Sequence, residues 1–173
     1  TLDGTQTHKL VLEGLFGTVR KVTTTAELIE QKHLADFKVK AIVLSYPEKD
    51  RESMKKTTYK DEIDWLVRNT ARNNFITNLA RSLKGNTLIL YQYVEKHGDV
   101  LYSQLAGREN VYFVSGQVDA DAREHIRKIV ETKTDAIIVA SFGTFSTGVN
   151  IKNLHNVVFS SPSKSRTRTL QSI

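Results

Sequence analysis

The chain contains no cysteine. That removes disulfides, iron–sulfur clusters, thiolate zinc sites and thiol nucleophiles together, and it suits a reducing interior. His8, His33, His97, His125 and His155 are scattered without ligand-like spacing, so no metal site is expected. No apolar run approaches the roughly 18 residues of a spanning helix. The opening residues carry no charged-then-apolar signal either. These absences lead us to expect a cytoplasmic protein with no membrane partner. Three further patterns are missing: G-x-x-x-x-G-K-[ST], G-x-G-x-x-G after a strand, and G-x-S-x-G. No Ser/His/Asp set announces itself, and pairs such as Asp61/Glu62 and Asp119/Asp121 sit where helices and their caps take acidic residues. A self-contained active site is therefore not expected. The chain opens on Thr1-Leu2-Asp3-Gly4 with Met54 as its single methionine, and reads as part of something longer.

What is present suits one domain with a fragment of a second: 173 residues, 39% hydrophobic and 25% charged. A net charge of +6 favours an anionic partner such as nucleic acid or nucleotide, although plain surfaces reach this balance too.

Residues 23–37 read as a short helix capped by Thr24 or Thr25, with Leu28, Ile29 and Leu34 on one side. Residues 40–47, KAIVLSYP, read as a strand closed by Pro47, and 49–56 as a charge-rich solvated loop. From Tyr59 to Leu83 the pattern is helical, but its apolar faces fall out of phase across 68–74. Two helices, or one broken there, are expected. A rhythm follows: strand 86–94, helix 96–107, strand 110–116, helix 119–133 opening on Asp119, strand 135–141, strand 156–161 and a helix from 163. Apolar runs alternating with amphipathic helices predict an α/β doubly wound domain, its sheet mainly parallel and covered by helices on both faces.

Ligands of such sheets bind beyond the carboxyl ends of the strands. The loops there are YQYVEKHG (91–98), SGQVDA (115–120), SFGTFSTGVN (141–150) and SSPSKSR (160–166). Each is rich in hydroxyl, amide or glycine, which is ordinary turn chemistry taken singly. Four together in a basic chain point to phosphate oxygens, since glycine lets backbone N–H groups approach an anion and hydroxyls add donors.

The order of these loops resembles the second RecA-like domain of superfamily 2 helicases. ILYQYVEKHGDVLYSQL (89–105) matches motif IV. Ser115-Gly116 matches the turn before a helix bearing an arginine, here Arg123. SFGTFSTGVN matches motif V, and motif VI begins at Gln171. Thr1-Leu2-Asp3-Gly4 resembles the tail of motif III, and LFGTVRKVTTTAELIEQKHLADF the passage out of the first RecA-like domain. The likeness spans nearly the whole chain and is nearest to the phage recombination helicases.

The resemblance implies residues 1–38 as the tail of the first RecA-like domain with its linker, and 39–173 as the second. It implies an ATP-dependent DNA helicase or translocase that remodels branched DNA in recombination, repair or replication, with RNA undistinguished from DNA. ATP and Mg²⁺ would be held mainly by the first domain. Gly148, Asn150 and Gln171 would lie toward ATP; Gln92, Ser115, Gly116, Ser141 and Thr144 toward the nucleic-acid strand. Two positions depart from the pattern: Ser141 stands where Thr is usual, and Asn150 where Asp is common. The arginine fingers of motif VI would fall beyond Ile173, so no catalytic residue is expected within the chain, and alone it should be inactive. Arg166 and Arg168 precede that motif and read either as DNA-facing cations or as surface ion-pair partners. Tyr91, Tyr93 and Phe145 read either as base-stacking groups or as packing. A non-catalytic nucleic-acid-binding module and the motor part of a restriction or nuclease subunit are the alternatives. Flanking sequence would separate them.

Overall fold

Four short strands, β1 (Thr87–Tyr91), β2 (Val111–Val114), β3 (Ile137–Ser141) and β4 (Asn156–Phe159), pair in the order β2-β3-β1-β4, every pair parallel. They belong to a computed structural model that describes residues 6–20, 22–33, 36, 38–116, 120–145 and 151–163. The chain divides into two units, Thr1–Ser45 and Tyr46–Ile173, and the sheet lies in the second.

The first unit holds α1 (Gln6–Phe16) and α2 (Thr25–Glu30). Thr24 starts α2 with a reciprocal cap: its hydroxyl accepts from the Glu27 N–H at 3.2 Å, and its own N–H donates to the Glu27 carboxylate at 2.7 Å. The Thr24 N–H, and then the Thr23 hydroxyl that donates to the same carboxylate at 2.9 Å, hold the Glu27 carboxyl below its ordinary pKa. Residues 40–47 form no strand, contrary to the expectation from their apolar run. A strand exists only through its ladder, and Ile42 and Val43 stand exposed, with no pairing partner in the sheet.

In the second unit, residues 48–54 are helix α3 (Glu48–Met54) rather than loop. Pro47 precedes it, Glu48 and Asp50 occupy its first turn, and Arg51–Glu48 and Lys55–Glu52 pairs run along it. None of its residues is buried, so the segment is still a solvated face. The expected break between the next helices falls at Asn69. It ends α4 (Tyr59–Arg68) and caps α5 (Thr70–Ser82) by accepting from the Arg72 N–H at 2.9 Å.

Every residue of β1 is buried, as a central parallel strand requires. Alternate side chains serve two cores. Leu88 and Leu90 join Ile138, Ala140, Phe142 and Val130 on one face, with Ile126 of α7 (Ala120–Glu131) packed against them. Ile89 and Tyr91 join Ile137 and Val139 on the other, beneath Ile76 and Ala80 of α5 and Leu101 of α6 (Asp99–Gln104). The doubly wound arrangement is thus observed, with helices on both faces.

A π-helical turn, Val94–Gly98, carries the chain from β1 into α6. Gly98 has ordinary helical backbone angles, but a β-carbon there would lie 2.5–2.8 Å from the Tyr91 ring. That ring is fully buried and stacked on Phe113, centroids 5.7 Å apart. It has nowhere to move. Gly98→Ala is expected to destabilise the fold by about 1–3 kcal/mol through overpacking. Gly116→Ala is the control, because its β-carbon would meet nothing within 4 Å. Thermal melts of the two variants check the contrast.

Candidate functional site at the carboxyl edge of the sheet

Because all four strands are parallel, the segments that leave them emerge at one edge, as the sequence reading required. β1 gives way to Gln92, β2 to Ser115 and Gly116, β3 to Phe142, and β4 to Ser160 and Ser161. Gln92 and Gly116 are exposed, Ser141 is half-buried, and Ser115 is buried. A short helical turn, α8 (Phe142–Phe145), opens the glycine-rich segment after β3. It folds Thr144 back so that its hydroxyl sits 2.5 Å from the Ser141 hydroxyl. Thr144 is only 2% exposed. Within this edge Ser141 is therefore the presented hydroxyl and Thr144 the one that fixes it.

Gly148, Asn150 and Gln171 lie outside the described residues, as do Arg166, Arg168 and the Phe145 side chain. The two tyrosines separate. Tyr91 packs in the core, and its hydroxyl donates to the Val114 carbonyl at 3.4 Å; burial, reinforced by the negative charge of Asp99, raises its pKa. Tyr93 is exposed.

Two residues that the sequence did not single out, His97 and Arg72, organise this edge together with Ser160 and Ser161. The Ser161 hydroxyl accepts from the Gln92 N–H at 3.0 Å and lies 3.0 Å from His97 Nδ1. That hydroxyl oxygen has a second lone pair, so the contact with Nδ1 runs in the direction that the imidazole's tautomer sets. His97 is fully buried, and Nε2 has no partner. Desolvation, and then the nearby charge of Arg72, lower its pKa to about 4. Arg72 in turn donates from Nη2 to the Ser160 carbonyl at 2.5 Å, and the Ser160 hydroxyl donates to the Leu90 carbonyl at 2.7 Å. Burial lowers the Arg72 pKa, opposed by Tyr46. The loop after β4 is thereby tied to the loop after β1. Only the serine pair after β4 was a visible sign of this; its partners stand 64 and 88 residues away.

Among the described residues there is no group of three or more His, Asp or Glu placed to hold a metal ion. Nor is any of their helices long and apolar enough to cross a membrane.

No protein-family model matches the chain. No solved structure matches it either. The chain is similar to the ATP-dependent DNA helicase uvsW of Enterobacteria phage T4, with 35% identity over 164 residues. The match covers 92% of this chain and 32% of that helicase, so the chain spans about a third of the length of the curated relative it matches.

Proposed function

We propose that this chain is the second RecA-like domain, with the exit from the first, of an ATP-dependent motor that acts on nucleic acid. The observation that carries the reading is the similarity to a DNA helicase along 92% of the chain. The parallel sheet supports it by bringing Gln92, Ser115, Gly116 and Ser141 to one edge. On this reading residues 1–38 belong to the first domain and its linker, and 39–173 to the second. The exposed amide of Gln92, the Ser141 hydroxyl and the open backbone at Gly116 receive the phosphates of one DNA strand; Thr144 and Ser115 hold that surface in shape. Such contacts position the strand without reading its sequence. Gly148, Asn150 and Gln171 lie toward ATP. Mg²⁺ and most of the triphosphate belong to the first domain, since this chain carries no Walker A sequence. The chain by itself hydrolyses no ATP, and measurable DNA-stimulated hydrolysis by the pure chain would overturn that statement.

Binding of a labelled single-stranded oligonucleotide, followed by anisotropy over a salt series, tests the interface. Ser141→Ala is expected to weaken binding by about tenfold or more, the worth of one hydrogen bond to a charged phosphate. Thr144→Ala should weaken it less, by loosening Ser141. The salt slope should stay unchanged in both, because no cation is removed. Unchanged affinity in both variants removes these residues from the interface.

A further inference from the structure

Beside the carboxyl edge lies an open cleft of about 520 Å³ that no part of the proposed function uses. Its walls come from α4 and from the π-helical turn that follows Gln92. Lys60, Arg68 and Lys96 line it together with Asp61, Asp64 and Trp65. The volume is that of a small-ligand site.

The charges in it are not equivalent. Asp61 is engaged at the start of α4, where the Thr58 hydroxyl donates to its carboxylate at 2.7 Å and accepts from its N–H at 3.3 Å. Asp64 holds two cations from different elements, Arg68 Nε at 2.9 Å and Lys96 Nζ at 2.5 Å. Hydrogen bonds from Lys96 and then Arg68 keep its carboxyl below the ordinary range, so it stays ionised. The outcome is two exposed cations gathered at one point, with Lys60 in the same cleft. A ligand phosphate offers those donors the same chemistry that Asp64 now supplies. Trp65 provides the second element. Its ring is half-buried, braced edge-on by Tyr46 at 5.1 Å between centroids, and its indole lines the cleft. A braced aromatic ring beside converging cations is what a nucleobase and its phosphate require, by stacking and by charge.

We propose that the Trp65–Arg68–Lys96 cleft binds a nucleobase together with its phosphate, as one nucleotide of a single strand that also crosses the carboxyl edge. Lys96 gives this its continuity, because it stands in the turn that begins two residues after Gln92. The proposal rests on nucleic acid being the partner, and the experiment is arranged so that the two can fail separately.

Trp65 is the only tryptophan of the chain, so its fluorescence reports this cleft and nothing else. The full chain is titrated with unlabelled oligodeoxythymidylate and, separately, with thymidine monophosphate. Binding of the labelled oligomer is followed in parallel by anisotropy. The expected result is quenching of Trp65 at the concentrations that raise anisotropy. Arg68→Gln and Lys96→Gln should each lower the salt slope by about 0.7, the value for one phosphate on a single strand. Asp64→Asn should tighten binding by about two- to fivefold, because it removes the carboxylate that competes with phosphate. Trp65→Phe, which keeps a ring in place, should weaken binding by less than Trp65→Ala.

Quenching by the mononucleotide at the same concentration as by the oligomer keeps the site but assigns it to free nucleotide, and overturns its place on the strand path. A rise in anisotropy with no change in Trp65 fluorescence, and with Asp64→Asn and Lys96→Gln binding like the parent, overturns the cleft and leaves the carboxyl-edge interface standing. No binding of the oligomer by either readout overturns both.

Discussion

Asn86→Ala is expected to cost the second unit roughly 3–5 kcal/mol. Asn86 immediately precedes β1 at the amino edge, opposite the loops proposed to meet nucleic acid, and is fully buried. Its Oδ1 accepts from the Ala136 N–H at 2.9 Å, just ahead of β3. Its Nδ2 donates toward three carbonyls, Val130 at 3.1 Å and Lys133 and Asn153 at 2.8 Å. One amide thus joins the end of α7, the turn behind it, the approach to β3 and the loop before β4. Alanine takes the partner from the buried Ala136 N–H and from the Asn153 carbonyl, while the Val130 and Lys133 carbonyls keep the Lys133 N–H and the Asn153 amide; each group left unpaired costs about 1–3 kcal/mol. Asn86→Asp separates this account from simple loss of volume. The aspartate keeps an acceptor for Ala136 but turns a carboxylate toward three carbonyl oxygens, so it should be at least as damaging as alanine. Urea denaturation checks both: the midpoint should fall sharply with the slope preserved, because the surface exposed on unfolding is unchanged. A loss below about 1 kcal/mol for either variant would mean that the hub is dispensable.

Asn86 also marks the limit of what the sequence discloses. The strands were legible because β1 and β3 are covered on both faces and must be apolar throughout, so Thr87–Tyr91 and Ile137–Ser141 stood out as runs. The break at Asn69 was legible because a helix cannot change its apolar face without interruption. The edge that gathers Gln92, Ser115, Gly116 and Ser141 followed from parallel strands alone. Residues 40–47 misled because an apolar β-branched run describes a strand only when a neighbour pairs with it. Residues 49–56 misled because acidic residues at a helix start and ion pairs along it look, in one dimension, like a loop's charges. Burial of Thr144 was hidden for another reason: a hydroxyl in a polar segment shows its chemistry but not its direction. Asn86, His97 and Arg72 were hidden because their partners lie far along the chain, and an amide or imidazole declares nothing until its partners are known.

His97 carries the second large effect, and it acts at the carboxyl edge itself. In the folded chain its pKa is depressed to about 4, against an ordinary value of 6.5. Between these values the unfolded chain binds a proton that the folded chain refuses, so stability rises with pH across the window. The contribution is fully present above pH 6.5, declines as pH falls through that value, and is spent near pH 4. The span corresponds to about 3 kcal/mol at roughly 1.36 kcal/mol per unit. Protonation would put a positive charge on a fully buried ring, close to that of Arg72. Asn is the replacement to compare, since its side-chain amide can donate to or accept from the Ser161 hydroxyl and does not titrate. His97→Asn should be less stable than the parent at pH 7, while the gap between the two narrows steadily from pH 6.5 to 4. The exposed ion pairs of Asp64 and Glu124 titrate alike in both proteins and cancel in that difference. Urea melts at half-unit pH steps supply the measurement. A gap that stays constant across the window would show that His97 is not held neutral by the fold.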